Sequence, residues 1–509
     1  MSDTAQYSVV ASNSLGMAVS SNAQLTVNLP QAGDVDWSFT TPVMDGPIST
    51  MALQPDGRVL IGGPFTTVGG RNRSGVARLN GDGSLDRSFL EGRSGVDFQG
   101  DPRAVSAIAV QSDGKVLIGG AFDLVNGVIR NNLARLNPNG SLDQDFLSDT
   151  NVGGADGFVT ALVLTTDQMI WIGGAFLYVN GDYAPGVTRL GSNGNLDPPP
   201  FTSYIGSQYI YTLKPLEDES IIIGGDLLWW LGYTTTPVGI LKVNADGSLD
   251  TAFIQTPDDV YSIQVQADGK VLMGGNFNNL NSEPRNGIAR LNVDGTLDEH
   301  FLDGLAGVEG GVKSLALQPD GRIVIGGEFT TVNGVAENYV ARLNSDGNLD
   351  TSFLNGLPGI APDFSGWAVD TVQMQADGNV LVGGSFTNVN GISLTNVARL
   401  YGTAATPPVI TSVSQPGTNS VGGAVTLSVS AWGTGPLSFQ WQKSGTNLMN
   451  GGRISGATNS SLTITNLQLT DTGDYSAVVS SDFGIAVSSN ATLVVVFTQY
   501  TPAHPVVYN

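Results

Sequence analysis

The stretch Asp113 to Phe146, DGKVLIGGAFDLVNGVIRNNLARLNPNGSLDQDF, is one copy of a unit that recurs along the chain. Its Gly-Gly pair returns with first glycines at Gly62, Gly119, Gly173, Gly224, Gly274, Gly326 and Gly383, at spacings of 57, 54, 51, 50, 52 and 57 residues. Each unit reads as four strand-like pieces: an alternating run such as Ser106 to Gln111, a KVLIGG-like run, an ARLN-like run, and L-D-x-x-F. Seven such units, averaging 53.5 residues, describe the blades of a β-propeller.

Two spacings are rigid. From the turn aspartate (Asp56, Asp113, Asp167, Asp218, Asp268, Asp320, Asp377) to the first Gly is six residues in all seven units. From Leu79, Leu136, Leu190, Val243, Leu291 or Leu343 to the next L-D aspartate is seven. Both connections therefore read as tight hairpins on one face of a disc. The connection from L-D-x-x-F to the next unit ranges from 15 residues (Phe253 to Asp268) to 24 (Phe89 to Asp113). Function is expected on that variable face. The seventh unit stops after Ala398-Arg399-Leu400, and its missing piece stands before the first unit as Val35-Asp36-Trp37-Ser38-Phe39. The expectation is an all-β, seven-bladed propeller closed by an N-terminal strand, with no open edge.

QPDGRVLIGG at Gln54 to Gly63 and ARLNSDGNLDTSF at Ala341 to Phe353 resemble the delta-60 repeat family of bacterial β-propellers over about residues 34 to 402. The resemblance implies a structural and recognition module of large bacterial surface proteins.

From Pro407 to Val496 the pattern changes. Val425, Leu427, Val429 and Ala431 alternate on one face, Trp441 follows in SFQWQKSG, and Asp471-Thr472-Gly473-Asp474-Tyr475 comes later. This resembles an intermediate-type immunoglobulin β-sandwich, with a core Trp and a tyrosine corner. The usual disulfide positions hold Val429 and Ala477. Residues 3 to 27 align without gaps to 471 to 495, with 15 of 25 positions identical. The expected domains are 1–29, the last two strands of another immunoglobulin-like domain; 30–402, the propeller; 403–497, the immunoglobulin-like domain; and 498–509, a tail. An isolated hairpin is marginal in water, so the chain is expected to be a fragment of a larger multidomain protein, or to be completed by a neighbouring chain.

Composition removes several function classes. The 509 residues hold 67 Gly and 24 Pro, with 13% charged and 41% hydrophobic residues, and a net charge of −23. That charge opposes binding to nucleic acid or to an anionic lipid surface, and no apolar run is long enough for a spanning helix. With no Cys and only His300 and His504, disulfides, thiol chemistry and His-based metal sites are out. Alternating oxygens in loops such as Asn80 to Asp86 invite calcium, but Gly falls at the wrong place for an EF-hand loop, so hairpins are expected and no metal or cofactor is assigned. The cations Arg78, Arg135, Arg189, Lys242, Arg290 and Arg342 stand eight residues before an L-D aspartate, and Arg399 is their seventh-unit counterpart; structural ion pairs are expected rather than an anion-binding ring.

The fourth unit breaks the repeat: the Gly-Gly to third-strand cation spacing is 18 residues rather than 16, and the extra length carries Leu227-Leu228-Trp229-Trp230-Leu231-Gly232-Tyr233. Trp229, Trp230, Tyr233, Phe98, Phe364 and Trp367, with Asp97 and Asp363, are the candidate ligand contacts; no catalytic residue is assigned. The reading is a non-enzymatic extracellular or cell-surface protein for adhesion or recognition of a surface glycan or protein. A polysaccharide hydrolase or lyase using carboxylates such as Asp97, Asp101 and Asp363 is the first alternative. A surface filament or layer self-assembling through the N-terminal hairpin is the second.

Overall fold

The computed structural model describes all residues except 1–4, 9, 14–15, 26–28, 99–103, 148–152, 198–204, 232–233, 247, 252, 254–257, 281–282, 364–367, 405, 435 and 498–509. The described residues are all-β, with a single short 3₁₀ turn at Leu469–Asp471. They form two compact units, one of residues 32–403 and one of residues 1–31 with 404–509.

Among the described residues, each of the seven repeats of the larger unit builds its Gly-Gly strand into the middle of a three-stranded antiparallel sheet. In the second, Ala107–Val110 pairs with Val116–Gly119, which pairs with Leu133–Leu136. The central VLIG run is buried throughout, as its unbroken apolar sequence requires. The D-G turn is built by Asp113, whose Oδ1 accepts from the Lys115 N–H at 3.0 Å, and by Gly114 at φ +81°.

The fourth piece departs from the sequence reading. L-D-x-x-F makes one bridge, Leu136 to Leu142 in this blade, and then turns. Its aspartate ends the strand: Asp143 Oδ2 accepts from Arg135 Nε at 2.8 Å, and Oδ1 accepts from the Asp145 N–H at 3.2 Å. The arginine then lies 4.5 Å over the ring of buried Phe146, a cation–π contact. A second feature escaped the sequence reading. Between the middle and third strands, V-N-G runs close small ribbons such as Leu124–Val125 with Val128–Ile129, turned by Asn126 and Gly127 at φ +52° and +81°. The short strand Val96–Asp97 of the variable connection pairs with this ribbon.

The Gly-Gly pair sets how blades meet. A Cβ on Gly119 would lie 2.7 Å from Val159 Cγ1 of the next blade, and one on Gly383 would lie 3.0 Å from Ile48 Cγ2 of the first. The second glycine faces backbone: a Cβ on Gly174 would stand 2.0 Å from the Phe158 carbonyl oxygen, and one on Gly384 2.0 Å from that of Ala368. Both glycines are thus fixed by space.

The third-strand cations pair with the L-D aspartates as expected: Arg78–Asp86 at 2.8 Å, Arg189–Asp197 at 3.0 Å, Lys242–Asp250 at 3.5 Å, Arg290–Asp298 at 2.7 Å and Arg342–Asp350 at 2.8 Å. Each of five arginines also reaches a turn carbonyl of the next blade; Arg78 Nη1 donates to Pro138 O at 2.7 Å and Arg290 Nη1 to Ser345 O at 2.6 Å. Arg135 and Arg342 do the same to Ser192 and Gly402. Arg399 extends the pattern from the seventh blade to the first, donating to Gly81 O at 2.9 Å while its Nε meets Asp36 Oδ2 at 2.7 Å. Around that pair, Val35 bridges Leu400, Gly33 N–H donates to Tyr401 O at 2.7 Å and Tyr401 N–H to Asp34 O at 2.9 Å. The inner strands of successive blades pack against one another, Thr371–Met374 against Thr50–Leu53 included. Among the described residues the seven sheets are separate, and no hydrogen-bonded sheet closes on itself.

In the smaller unit, Trp441 is fully buried and donates from Nε1 to Asn459 O at 3.0 Å. Tyr475 Oη donates to Asp471 O at 2.8 Å, which forms the tyrosine corner. Val429 and Ala477 lie in the apolar core. The N-terminal segment pairs Ala5 with Leu25, Tyr7 with Ala23, and Val10 with Val19. The aligned residues pair identically: Gly473 with Leu493, Tyr475 with Ala491, and Val478 with Val487. The shared sequence therefore takes a shared register.

Three outcomes are expected. Asp36→Ala strands the buried Arg399 guanidinium and should cost about 3–5 kcal/mol, read as a lower denaturant midpoint; an unchanged midpoint would remove the seam from the list of essential contacts. Gly384→Ala, with no room for its Cβ, should cost about 1–3 kcal/mol, against a near-neutral Ser→Ala at exposed Ser489. Acid should unfold the larger unit. Burial works to raise the Asp350 carboxyl, but hydrogen bonds from Ser352 and Arg322 and the charge of Arg342 hold it at about 2, against 3.8 when unperturbed. Asp36, Asp86, Asp143 and Asp298 are depressed in the same way. Folded values below unfolded ones mean this stabilisation is full above about pH 4 and is lost as pH falls toward about 2. Thermal melts across that window should show a steep fall.

Candidate functional site

In each blade one inner-strand residue stands just before the partner of the first Gly. In the third to sixth blades the register shifts there, with a bulge between Val159 and Ala161, Ile210 and Thr212, Val260 and Ser262, and Val312 and Ser314. A bulge re-aims the side chain that it carries. The seven residues are Ser49, Ser106, Thr160, Tyr211, Tyr261, Lys313 and Asp370, all half-buried at the start of the inner strand. That start lies at the end opposite the D-G turns, the side of the variable connections.

The seven positions are chemically uneven. Blades one to three supply small hydroxyls, and Thr160 donates to Ile210 O of the next blade. Blades four to seven supply two tyrosines, a lysine and an aspartate. The Tyr211 and Tyr261 rings meet edge to face, with centroids 5.0 Å apart and planes at 70°; Tyr209 stacks on Tyr211 at 6.2 Å. Tyr261 Oη donates to Asp259 Oδ2 at 3.1 Å. Lys313 Nζ lies between Glu328 Oε1 at 2.7 Å and Asp370 Oδ1 at 3.0 Å.

The electrostatics follow from crowding. Burial, then the charges of Asp259 and Asp226, push Tyr211 up to about 12. Burial and Asp259 raise Tyr261 further. Asp259 is raised by burial and by Asp226 and Asp258, against the Tyr261 hydrogen bond. Asp370 keeps 22% of its side chain open, yet burial raises its carboxyl against the pull of Lys313. The cluster thus offers aromatic faces, one ammonium held by two carboxylates, and acceptors of reduced acidity.

Of the residues anticipated from sequence, Asp363 joins this cluster: its Oδ2 accepts from Ser385 Oγ at 2.6 Å, and its charge acts on Asp370. Asp97 is exposed in the short strand Val96–Asp97. Phe98 is a correction: at 9% exposure it packs in the core of the second blade, because the residue after that strand turns inward. Trp229 and Trp230 are not in a loop. They lie within the strand Ile221–Leu231, paired with Thr236 and Thr235, since the fourth blade runs its strands on where other blades turn into ribbons. Tyr233, Phe364, Trp367 and Asp101 lie outside the described residues. The turn aspartates serve the hairpins: Asp82 Oδ1 accepts from the N–H and Oγ of Ser84, at 3.0 and 2.6 Å. Among the described residues, no group of three or more His, Asp or Glu is placed to hold a metal ion.

The sequence reading noted Tyr211 only as an aromatic preceding the fourth-unit insertion and missed Tyr261, Lys313 and Asp370, although a signal existed: each of the seven residues stands thirteen positions before the first Gly of its blade.

Comparison with known proteins agrees with this architecture. Six segments, 54–89, 111–146, 167–198, 266–301, 318–353 and 375–400, match the domain of unknown function DUF5122, a β-propeller, and residues 407–481 match an immunoglobulin domain. The unmatched repeat is the divergent fourth. No curated protein matches. Similar solved structures include the titin M10–obscurin-like 1 Ig complex, 26% identical over 18% of this chain and 98% of that one, TM-score 0.17. Titin domain M7 is 24% identical over 18% and 98%, TM-score 0.17. The tandem Ig repeats of Dlar are 22% identical over 25% and 75%, TM-score 0.18.

Proposed function

We propose that this chain of DUF5122 β-propeller repeats and an immunoglobulin domain is a non-enzymatic recognition module, serving adhesion or ligand capture at a bacterial cell surface. The observation that carries the reading is the unevenness of the variable face. Seven near-identical scaffolds present Ser, Ser, Thr, Tyr, Tyr, Lys and Asp at one equivalent position, and a repeat that served packing alone would have no reason to differ there. The turn face offers the opposite picture, with aspartates spent on their own hairpins. A net charge of −23 favours partners that are uncharged or basic.

The test is to pass the intact chain over immobilised glycans and surface proteins and to assay the same panel for product. Saturable binding without turnover is expected. Trp229→Ala or Trp230→Ala should weaken it by roughly 5- to 150-fold if the extended strands of the fourth blade join the contact. Product release would overturn the non-enzymatic reading. Binding that survives both variants, together with variants of Tyr211 and Lys313, but falls on mutating Asp82 or Asp294 would place recognition on the turn face instead.

A further inference from the structure

We infer that the residues at this inner-strand position in blades four to seven form a binding site for an uncharged sugar, with Tyr211 and Tyr261 as its stacking surface and Lys313, Glu328 and Asp370 as its hydroxyl-reading edge. The inference rests on the recognition reading above and names its ligand class.

A saccharide ring presents two surfaces at once, an apolar face of C–H groups and a rim of hydroxyls. The cluster presents the complements. Tyr211 and Tyr261 come from adjacent blades, are both half-buried, and are held edge to face at 5.0 Å, so the pair is fixed before a ligand arrives. Aromatic side chains with few rotatable bonds make such contacts at low entropic cost. Tyr261 is further pinned through Asp259. On the neighbouring blades, Lys313 is a donor fixed at 2.7 and 3.0 Å between two acceptors. A hydroxyl can accept from the ammonium and donate to either carboxylate, and both hydrogen bonds would be of the stronger, charge-assisted kind.

The same groups exclude other classes. An anion would face Asp226, Asp259, Glu328 and Asp370 with Lys313 already engaged. A purely apolar ligand would strip water from that ion-paired edge without replacing its hydrogen bonds, which is costly. An organic cation would sit beside the ammonium that already occupies the space between Glu328 and Asp370. An uncharged polyol avoids each penalty.

The experiment is calorimetric titration of the intact chain with short uncharged oligosaccharides of β-glucan, mannan, xylan and galactan. At least one should bind, with an affinity that changes little between about 0.1 and about 1 M salt. Tyr211→Ala and Tyr261→Ala should each lower the affinity by roughly 10- to 100-fold, and Tyr261→Phe, which keeps the ring, by only a few-fold. Should either alanine variant fail to fold, Lys313→Gln decides: it leaves the bulge backbone in place and should lower affinity at least about 10-fold. Sugar binding unaffected by Lys313→Gln and Tyr261→Phe alike overturns the site. Binding of a lysine-rich peptide that fades with salt, with no sugar bound, overturns the ligand class and leaves recognition on this face standing. Ligand binding lost only in turn-face variants overturns the site and moves recognition to the turn face, whereas product release from any of the sugars overturns the recognition reading itself.

Discussion

The larger unit depends on a contact made possible by two missing side chains. At each Gly-Gly pair, the next blade's side chains approach the first glycine, and the blade's own inner-strand carbonyl approaches the second; a Cβ would stand 2.7 Å from Val159 at Gly119 and 2.0 Å from the Phe158 oxygen at Gly174. The first approach lets apolar inner strands pack from blade to blade. The second brings the start of the inner strand against the glycine, and in the third to sixth blades the strand bulges there, which turns one residue out of the regular alternation. Packing and the candidate site therefore share a cause. The residues that read as spacing for the fold also create the place where chemistry is displayed.

The arginine of the third strand does a second job at the outer end of the blade. One guanidinium meets its own blade's aspartate, lies over its own blade's Phe, and donates to a carbonyl of the next blade, as Arg290 does with Asp298, Phe301 and Ser345. A planar fork is suited to three directions at once, and an ammonium is not. Lys242 in the fourth blade accordingly makes a longer pair, 3.5 Å to Asp250, and among the described residues no bond runs from it to the fifth blade's turn. Among the described residues, Arg189 in the third blade likewise pairs only with Asp197 of these partners, so the two blades before the fifth lack this tie, and their inner strands pack directly instead.

The sequence carried the repeat count, the two tight turns, the ion pairs and the immunoglobulin core because each is written as a residue type at a fixed spacing: Asp113 to Gly119, Arg135 to Asp143, Trp441 and Tyr475. It misjudged what depends on direction. Leu142 to Phe146 looks like a strand, but Asp143 turns the chain, accepting from the Asp145 N–H with one oxygen while the other holds Arg135. Phe98 looks like a loop aromatic, but the V-N-G ribbon beside it gives the chain a short sheet to follow inward. Trp229 and Trp230 look like an insertion, but the strands simply continue. The site was legible in principle at thirteen residues before each Gly pair. A bulge, however, is a departure from alternation, and Tyr211, Tyr261 and Lys313 look like noise within an alternating strand until the register is seen.

The seam has a mechanical consequence. Residues 33 to 36 run antiparallel to residues 399 to 401, and the chain enters and leaves at the same end of that pairing, where Gly33 N–H meets Tyr401 O at 2.7 Å. Tension transmitted along the chain would reach these bonds one after another, as a zip is opened, rather than loading them in parallel. The first serious resistance would be the Asp36–Arg399 pair, 2.7 Å apart just behind them. The sixth blade would share that load, because its Arg342 holds Gly402 and its Leu354 N–H donates to Ala32 O at 3.0 Å, while the remaining five blades would lie outside the path of the force.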